Sequence, residues 1–221
     1  MDGDAMLALL VGHPAPWAPE DLDRFDRDDG WRVEILDGTL IVGHHPATLA
    51  SWTPEDLDSL PESNLFEIID GQLFVNAQPN PLHQTVADEL RTVLKTQIPH
   101  DLIAIREIGV ALKDSLVGPD LSIVKRAEVE WTVNDQRAST AVLVVEVASP
   151  TTERTDRLVK AEKYGEAGIP GYWRVELDPI TVIAYALRDG VYAELGTWTA
   201  GEIVEVDEPL HVRFDPAELL P

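Results

Sequence analysis

The chain has 221 residues, 17 Lys and Arg against 40 Asp and Glu for a formal charge of −23, 44% apolar residues and no cysteine. That composition excludes a disulfide scaffold, a cysteine-based zinc centre, a thiol nucleophile and a disordered acidic tail, and its length supports one good hydrophobic core plus an appendage. The longest N-terminal apolar run, Met6 to Val11, is far shorter than the ~18 residues of a membrane span, so the expected setting is cytoplasmic with no membrane partner.

The chain opens on a duplication. Trp17-Ala-Pro-Glu-Asp-Leu-Asp23 matches Trp52-Thr-Pro-Glu-Asp-Leu-Asp58, and Val33-Glu-Ile-Leu-Asp-Gly-Thr-Leu-Ile-Val42 matches Phe66-Glu-Ile-Ile-Asp-Gly-Gln-Leu-Phe-Val75. Each copy predicts a short helix start, with Pro in the first turn and acids near the N-terminus. A β-hairpin should follow, because Asp37-Gly38 and Asp70-Gly71 supply the positive φ angles of a two-residue turn. The period does not continue into a solenoid. Residues 1–66 hold 14 acids against 3 basic residues, a net of 3 − 14 = −11. The expected division is an acidic extension over 1–50 and a main domain over 51–221.

Next, Leu82, Val86, Leu90, Val93, Leu94 and Ile98 predict an amphipathic helix over 82–98, stopped by Pro99. Strand-like runs follow at Leu102 to Leu112, Leu121 to Val124 and Ala141 to Val147. The last is almost wholly apolar and should be a central strand buried on both faces. A second helix is expected over 153–167, closed by Gly168 and Pro170. Strands return at Gly171 to Leu177, Thr181 to Arg188 and Val191 to Leu195, the last two joined at Asp189-Gly190. The order predicts a mixed α/β sheet flanked by helices.

Glu146 is the most informative position, because a carboxylate in a buried strand costs several kcal/mol unless it is paired or binds metal. Asp120 follows Gly118-Pro119 at the start of the preceding strand. If the two strands are antiparallel neighbours, the two carboxylates converge. Either a hard cation such as Mg²⁺ sits between them, or Asp120 is a turn residue and Glu146 pairs with an Arg or Lys. Asp156, Lys160 and Tyr164 share one helix stripe. That stripe carries either an exposed Asp-Lys pair or a lysine that reaches the carboxylates and orients water.

This ordered set resembles the Uma-two family of restriction-endonuclease-like proteins. The resemblance spans about 52–190 and rests on Phe66-Glu-Ile-Ile-Asp-Gly-Gln-Leu, Pro79-Asn-Pro-Leu-His83, Pro119-Asp120, Val145-Glu-Val-Ala-Ser-Pro150, Asp156, Lys160, Tyr164 and Gly168-Ile-Pro-Gly-Tyr-Trp173. It implies a PD-(D/E)XK nuclease core and Mg²⁺-dependent (or Mn²⁺-dependent) attack of water on DNA. Asp120 and Glu146 are then the two metal-binding acids. The lysine expected two residues after Glu146 is Ala148, and the resemblance makes Lys160 its substitute. Glu67 and His83 also fall on family positions. Glu67 alternates with apolar neighbours and is otherwise a solvent-facing residue, and the first copy carries its counterpart Glu34. His83 opens the first helix, where the dipole disfavours protonation. It is a candidate for metal or scissile phosphate, with capping or packing as the alternative.

His13, His44 and His45 have no carboxylates at ligand spacing and read as surface residues, while Trp131, Trp173 and Trp198 read as core or loop anchors. No Gly-x-Ser-x-Gly, Walker-type, dinucleotide or His-Glu-x-x-His motif is present. Two functions compete. One is a metal-dependent DNA endonuclease using Asp120, Glu146, Lys160, Glu67 and His83, expected as a homodimer because duplex cleavage needs two sites. The other is a catalytically silent binding or regulatory protein on the same fold, which the charge of −23 favours because phosphate backbones attract basic surfaces.

Overall fold

The computed structural model describes residues 9–10, 13, 16–25, 31–36, 38–44, 51–60, 66–148 and 159–221. The chain runs through β1 (Trp31–Leu36), β2 (Thr39–His44), β3 (Phe66–Ile69), β4 (Gln72–Val75), helix α1 (Pro81–Lys95), β5 (Leu102–Arg106), β6 (Gly109–Ala111) and β7 (Leu116–Val117). It continues through β8 (Leu121–Lys125), β9 (Asp135–Arg137), β10 (Ala141–Ala148), helix α2 (Ala161–Glu166), β11 (Gly171–Leu177), β12 (Ile180–Arg188), β13 (Val191–Thr199), β14 (Val204–Val206) and β15 (Val212–Phe214). Two compact units result, one from the described residues of 1–78 and 113–117, the other from those of 79–112, 118–149 and 153–221.

In the first unit the strands lie in the order β1-β2-β4-β3-β7, and every pairing is antiparallel. The duplication is structural as well as sequential. The Trp17 N–H donates to the Gly38 carbonyl at 2.9 Å, and the Trp52 N–H donates to Gly71 at 2.9 Å. Short 3₁₀ helices at Pro19–Arg24 and Pro54–Ser59 follow these tryptophans. Asp21 accepts from the Ala18 N–H at 3.0 Å, and Asp56 accepts from the Thr53 N–H at 2.8 Å. The second hairpin turns through Asp70 at φ 49° and Gly71 at φ 74°, the left-handed pair that Asp-Gly favours. Asp37 lies outside the described residues.

Leu40, Val42, Ile68, Leu73 and Val75 point to one face and form a core with Trp17 and Phe25. That core corrects the histidine expectation. His13 stacks on Trp17 with ring centroids 3.9 Å apart and meets Asp21 at 3.1 Å, and His44 packs against Trp31 and Trp52. The Ala18 amide, with His13 and Arg24 beside it, holds the Asp21 carboxyl below its ordinary range. His45 is outside the described residues.

The second unit is built on a six-stranded sheet ordered β13-β12-β11-β10-β8-β5. β10 is central as expected. It pairs parallel with β11 and antiparallel with β8, and all but one of its residues are buried. Leu143, Val145 and Val147 face a core shared with Val86, Ala87, Leu90 and Leu94 of α1 and with β14 and β15. By the alternation of a strand, Val144, Glu146 and Ala148 face the other way.

Helix α1 is shorter than 82–98 and faces differently. Asn80 caps it by accepting the His83 N–H at 3.0 Å, and Pro81 takes the first turn. His83 joins Val86, Ala87, Leu90 and Leu94 on the buried face, whereas Leu82 is exposed. The expected strand over 102–112 is split into β5 and β6 at Glu107, whose φ is +53°. Of the expected second helix, residues 153–158 lie outside the described residues, and α2 begins after a π-type turn at Val159 and Lys160. Trp173 is wholly buried and Trp198 packs against the core, but Trp131 is 64% exposed on a loop, contrary to its reading as an anchor. No helix among the described residues is long and apolar enough to cross a membrane.

Leu40 belongs to the first copy yet is wholly buried beside residues of the second. Leu40→Ala should therefore destabilise the protein by about 2–5 kcal/mol, read from the urea midpoint. An unchanged midpoint would show that the first copy contributes nothing to that core.

Candidate functional site

The site is assembled by the antiparallel pairing of β8 and β10. Leu121 stands opposite Val145, so one further step sets Asp120 opposite Glu146 on the same face. The Asp120 carboxylate is fixed by the neighbouring backbone, its Oδ2 accepting the Val147 N–H at 2.7 Å. His83 Nε2 lies 3.3 Å from that same oxygen, which ties the first turn of α1 to the start of β8. His83 is 5% exposed, so a position read as a possible cap is a packed contact to the first acid.

Glu146 is 2% exposed, and a bare carboxylate there would be heavily penalised. Lys160 Nζ lies 3.3 Å from Oε2, and the Tyr164 hydroxyl donates to Oε1 at 2.5 Å. Lys160 is itself 4% exposed. One turn of helix separates the two donors, so a single stripe serves both carboxylate oxygens. Lys160 is thus buried and not solvent-exposed as the pair reading had it; Asp156, the other half of that pair, lies outside the described residues. Tyr164 belongs to the same stripe, whose spacing alone assigns it no role. Its ring also approaches Tyr172 of β11 at 6.0 Å. Arg174, the β11 residue in register with Glu146, is engaged instead by Glu176 at 3.1 Å.

Asp120, Glu146, Lys160 and His83 therefore come together in the second unit. Glu67 lies in the first. It is 2% exposed and accepts from Asn76 Nδ2 at 2.8 Å, which corrects its reading as solvent-facing. Its counterpart Glu34 has a side chain 51% exposed and pairs with Arg32 at 2.7 Å. Among the described residues no three His, Asp or Glu side chains converge closely enough to hold a metal by themselves.

No curated protein matches the sequence. In three dimensions the chain is similar to a solved protein described as "a putative nuclease belonging to DUF820" from Anabaena variabilis ATCC 29413, with a TM-score of 0.62 and 19% identity over 76% of this chain and 97% of that one. The likeness is one of fold and agrees with the mixed α/β, restriction-endonuclease-like architecture read from the sequence. The Uma2 family model, described as "Putative restriction endonuclease", matches residues 54–217. On that match, which begins in the second copy of the duplication and takes in both opposed acids, the chain belongs to the Uma2 family.

Proposed function

We propose that the protein is a metal-dependent nuclease hydrolysing phosphodiester bonds in DNA. The observation that carries the reading is the buried Glu146 near the end of the central strand, opposite Asp120 at the start of the neighbouring β8 and with Lys160 on its second oxygen. Family membership supports the same class of activity.

Asp120 and Glu146 would hold Mg²⁺ or Mn²⁺. The donors suit such an ion: both are hard oxygens, and Asp120 accepts its hydrogen bonds through Oδ2, leaving Oδ1 without a partner among the described residues. One or two carboxylates are enough for Mg²⁺, which keeps several waters. When bound, the ion supplies a more acidic water and neutralises charge developing on the phosphoryl oxygens. His83 holds Asp120 in place through Oδ2, and Lys160 offers a flexible cationic donor to orient the attacking water. Water adds to phosphorus, the bond from phosphorus to one sugar oxygen breaks, and that oxygen takes up a proton. The products are a phosphate monoester and a hydroxyl.

The competing reading, a silent binding or regulatory protein, draws on one observation. Lys160 and Tyr164 satisfy both oxygens of Glu146 with protein groups alone, so the cluster also works as a structural ion pair. Two experiments separate the readings. In plasmid cleavage with Mg²⁺, Asp120→Asn and Glu146→Gln should each abolish turnover while circular dichroism stays unchanged. Retained activity in Glu146→Gln defeats the assignment. By calorimetry the unmodified protein should bind Mg²⁺ or Mn²⁺ and Asp120→Ala should not, whereas a silent scaffold binds neither ion.

The ion pair has its own consequence. Lys160→Met removes the Nζ counter-charge 3.3 Å from the buried Glu146 and should cost about 3–5 kcal/mol in urea unfolding. Adding Glu146→Gln to that variant should recover part of the loss, since the buried carboxylate that Lys160 faced is then neutral. A fully additive pair would show that the 3.3 Å contact carries no coupling.

A further inference from the structure

The two hairpins of the first unit pair in a register with two-fold symmetry. The sequence repeat makes Leu40, Ile41 and Val42 the counterparts of Leu73, Phe74 and Val75. In the sheet Leu40 pairs with Val75, Ile41 with Phe74 and Val42 with Leu73. Leu40 thus meets the counterpart of Val42, Val42 meets the counterpart of Leu40, and in the central pair Ile41 meets its own counterpart, Phe74. That is the isologous pattern of a symmetric dimer, formed here inside one chain. The row across the four strands reads Glu34, Ile41, Phe74, Glu67, with the two glutamates about 14 Å apart at the usual strand spacing.

We infer that β1 and β2 occupy the place of a second copy's β3-β4 hairpin, so that the protein is a monomer with one site and opens one strand of duplex DNA at a time. Three observations support this. The edge of β4 that a second copy would use is filled by β2. The outer edge of the copied hairpin, β1, pairs only with β2 among the described residues and carries exposed Arg32 and Glu34, a charged edge that discourages further pairing. The first copy is followed by the second and not by a counterpart of α1, Asp120 or Glu146, so the two-fold brings no second set of acids.

The nicking product rests on the nuclease reading above; the assembly state does not. Sedimentation equilibrium of the full chain should give the mass of one chain across the micromolar range. With Mg²⁺, supercoiled plasmid should pass to open circles before any linear form accumulates. A dimer mass, or linear product formed without prior circles, overturns the inference. Intact plasmid defeats the nuclease reading and leaves the mass to decide this one. The chain has no natural cysteine, so Ile41→Cys with Phe74→Cys and a short bis-maleimide should cross-link within one chain, and cross-links between chains overturn it. Ile41→Pro breaks the ladder of β2 at the central Ile41–Phe74 pair and should uncover the β4 edge, giving a concentration-dependent dimer. If that variant is folded but monomeric, the edge is not self-complementary and the inference fails.

Discussion

One buried carboxylate organises the second unit. Glu146 sits on the central strand with apolar neighbours on both sides, where an ion is tolerated only with a counter-charge and hydrogen bonds. Both come from one helical stripe, Lys160 and Tyr164, so α2 must lie against the face of β10 opposite the apolar core. The face behind it carries Leu143, Val145 and Val147 and takes α1. At β10 the sheet therefore has one wholly apolar face and an opposite face that carries the buried Glu146–Lys160 pair. Asp120 is then placed by the β8-β10 register and the Val147 amide, with His83 of α1 against the same carboxylate oxygen.

How far the sequence foretold this differs from residue to residue. The central strand was legible because Ala-Val-Leu-Val-Val-Glu-Val allows little else, and the lone acid in it marked the site. The stripe of Lys160 and Tyr164 was visible in the spacing, but its direction was not, since helical periodicity does not say which side meets a sheet. His83 was harder. An apolar pattern passes over polar residues, so it points to Leu82 and not to a histidine that shares the face of Ala87, Leu90 and Leu94. The break at Glu107 was hidden for another reason: a left-handed φ at a non-glycine residue has no composition signal and is imposed from outside, here where the Glu107 amide bonds to the Asp120 carbonyl at 3.3 Å. Strands of two or three residues, such as β7 and β9, are too short to carry a period at all.

The charge of −23 bears on function less directly than it first suggests. Its density is uneven: residues 1–66 account for −11, whereas residues 150–164 hold four basic residues against three acids. Screening confines charge effects to about 8 Å at physiological salt. What a phosphate meets is thus set by groups near the site and by any bound cation, not by the total. The acidity of the duplicated segment matters only to the extent that nucleic acid passes within that distance of it.

The duplication also shows how a symmetric solution loses its symmetry once both halves share a chain. In the second copy Glu67 is buried and held by Asn76. In the first, the position of Asn76 is taken by Gly43, and Glu34 turns instead to Arg32 beside solvent. The pairing residues Leu40 and Val42 remain wholly buried, like their counterparts Leu73 and Val75. What the interface needs has been kept in both copies, and the environment of the glutamate in only one. A hairpin retained for its edge and its core, and released from whatever constrained its acid, has the features expected of a segment that covers a strand edge and takes no part in a second site.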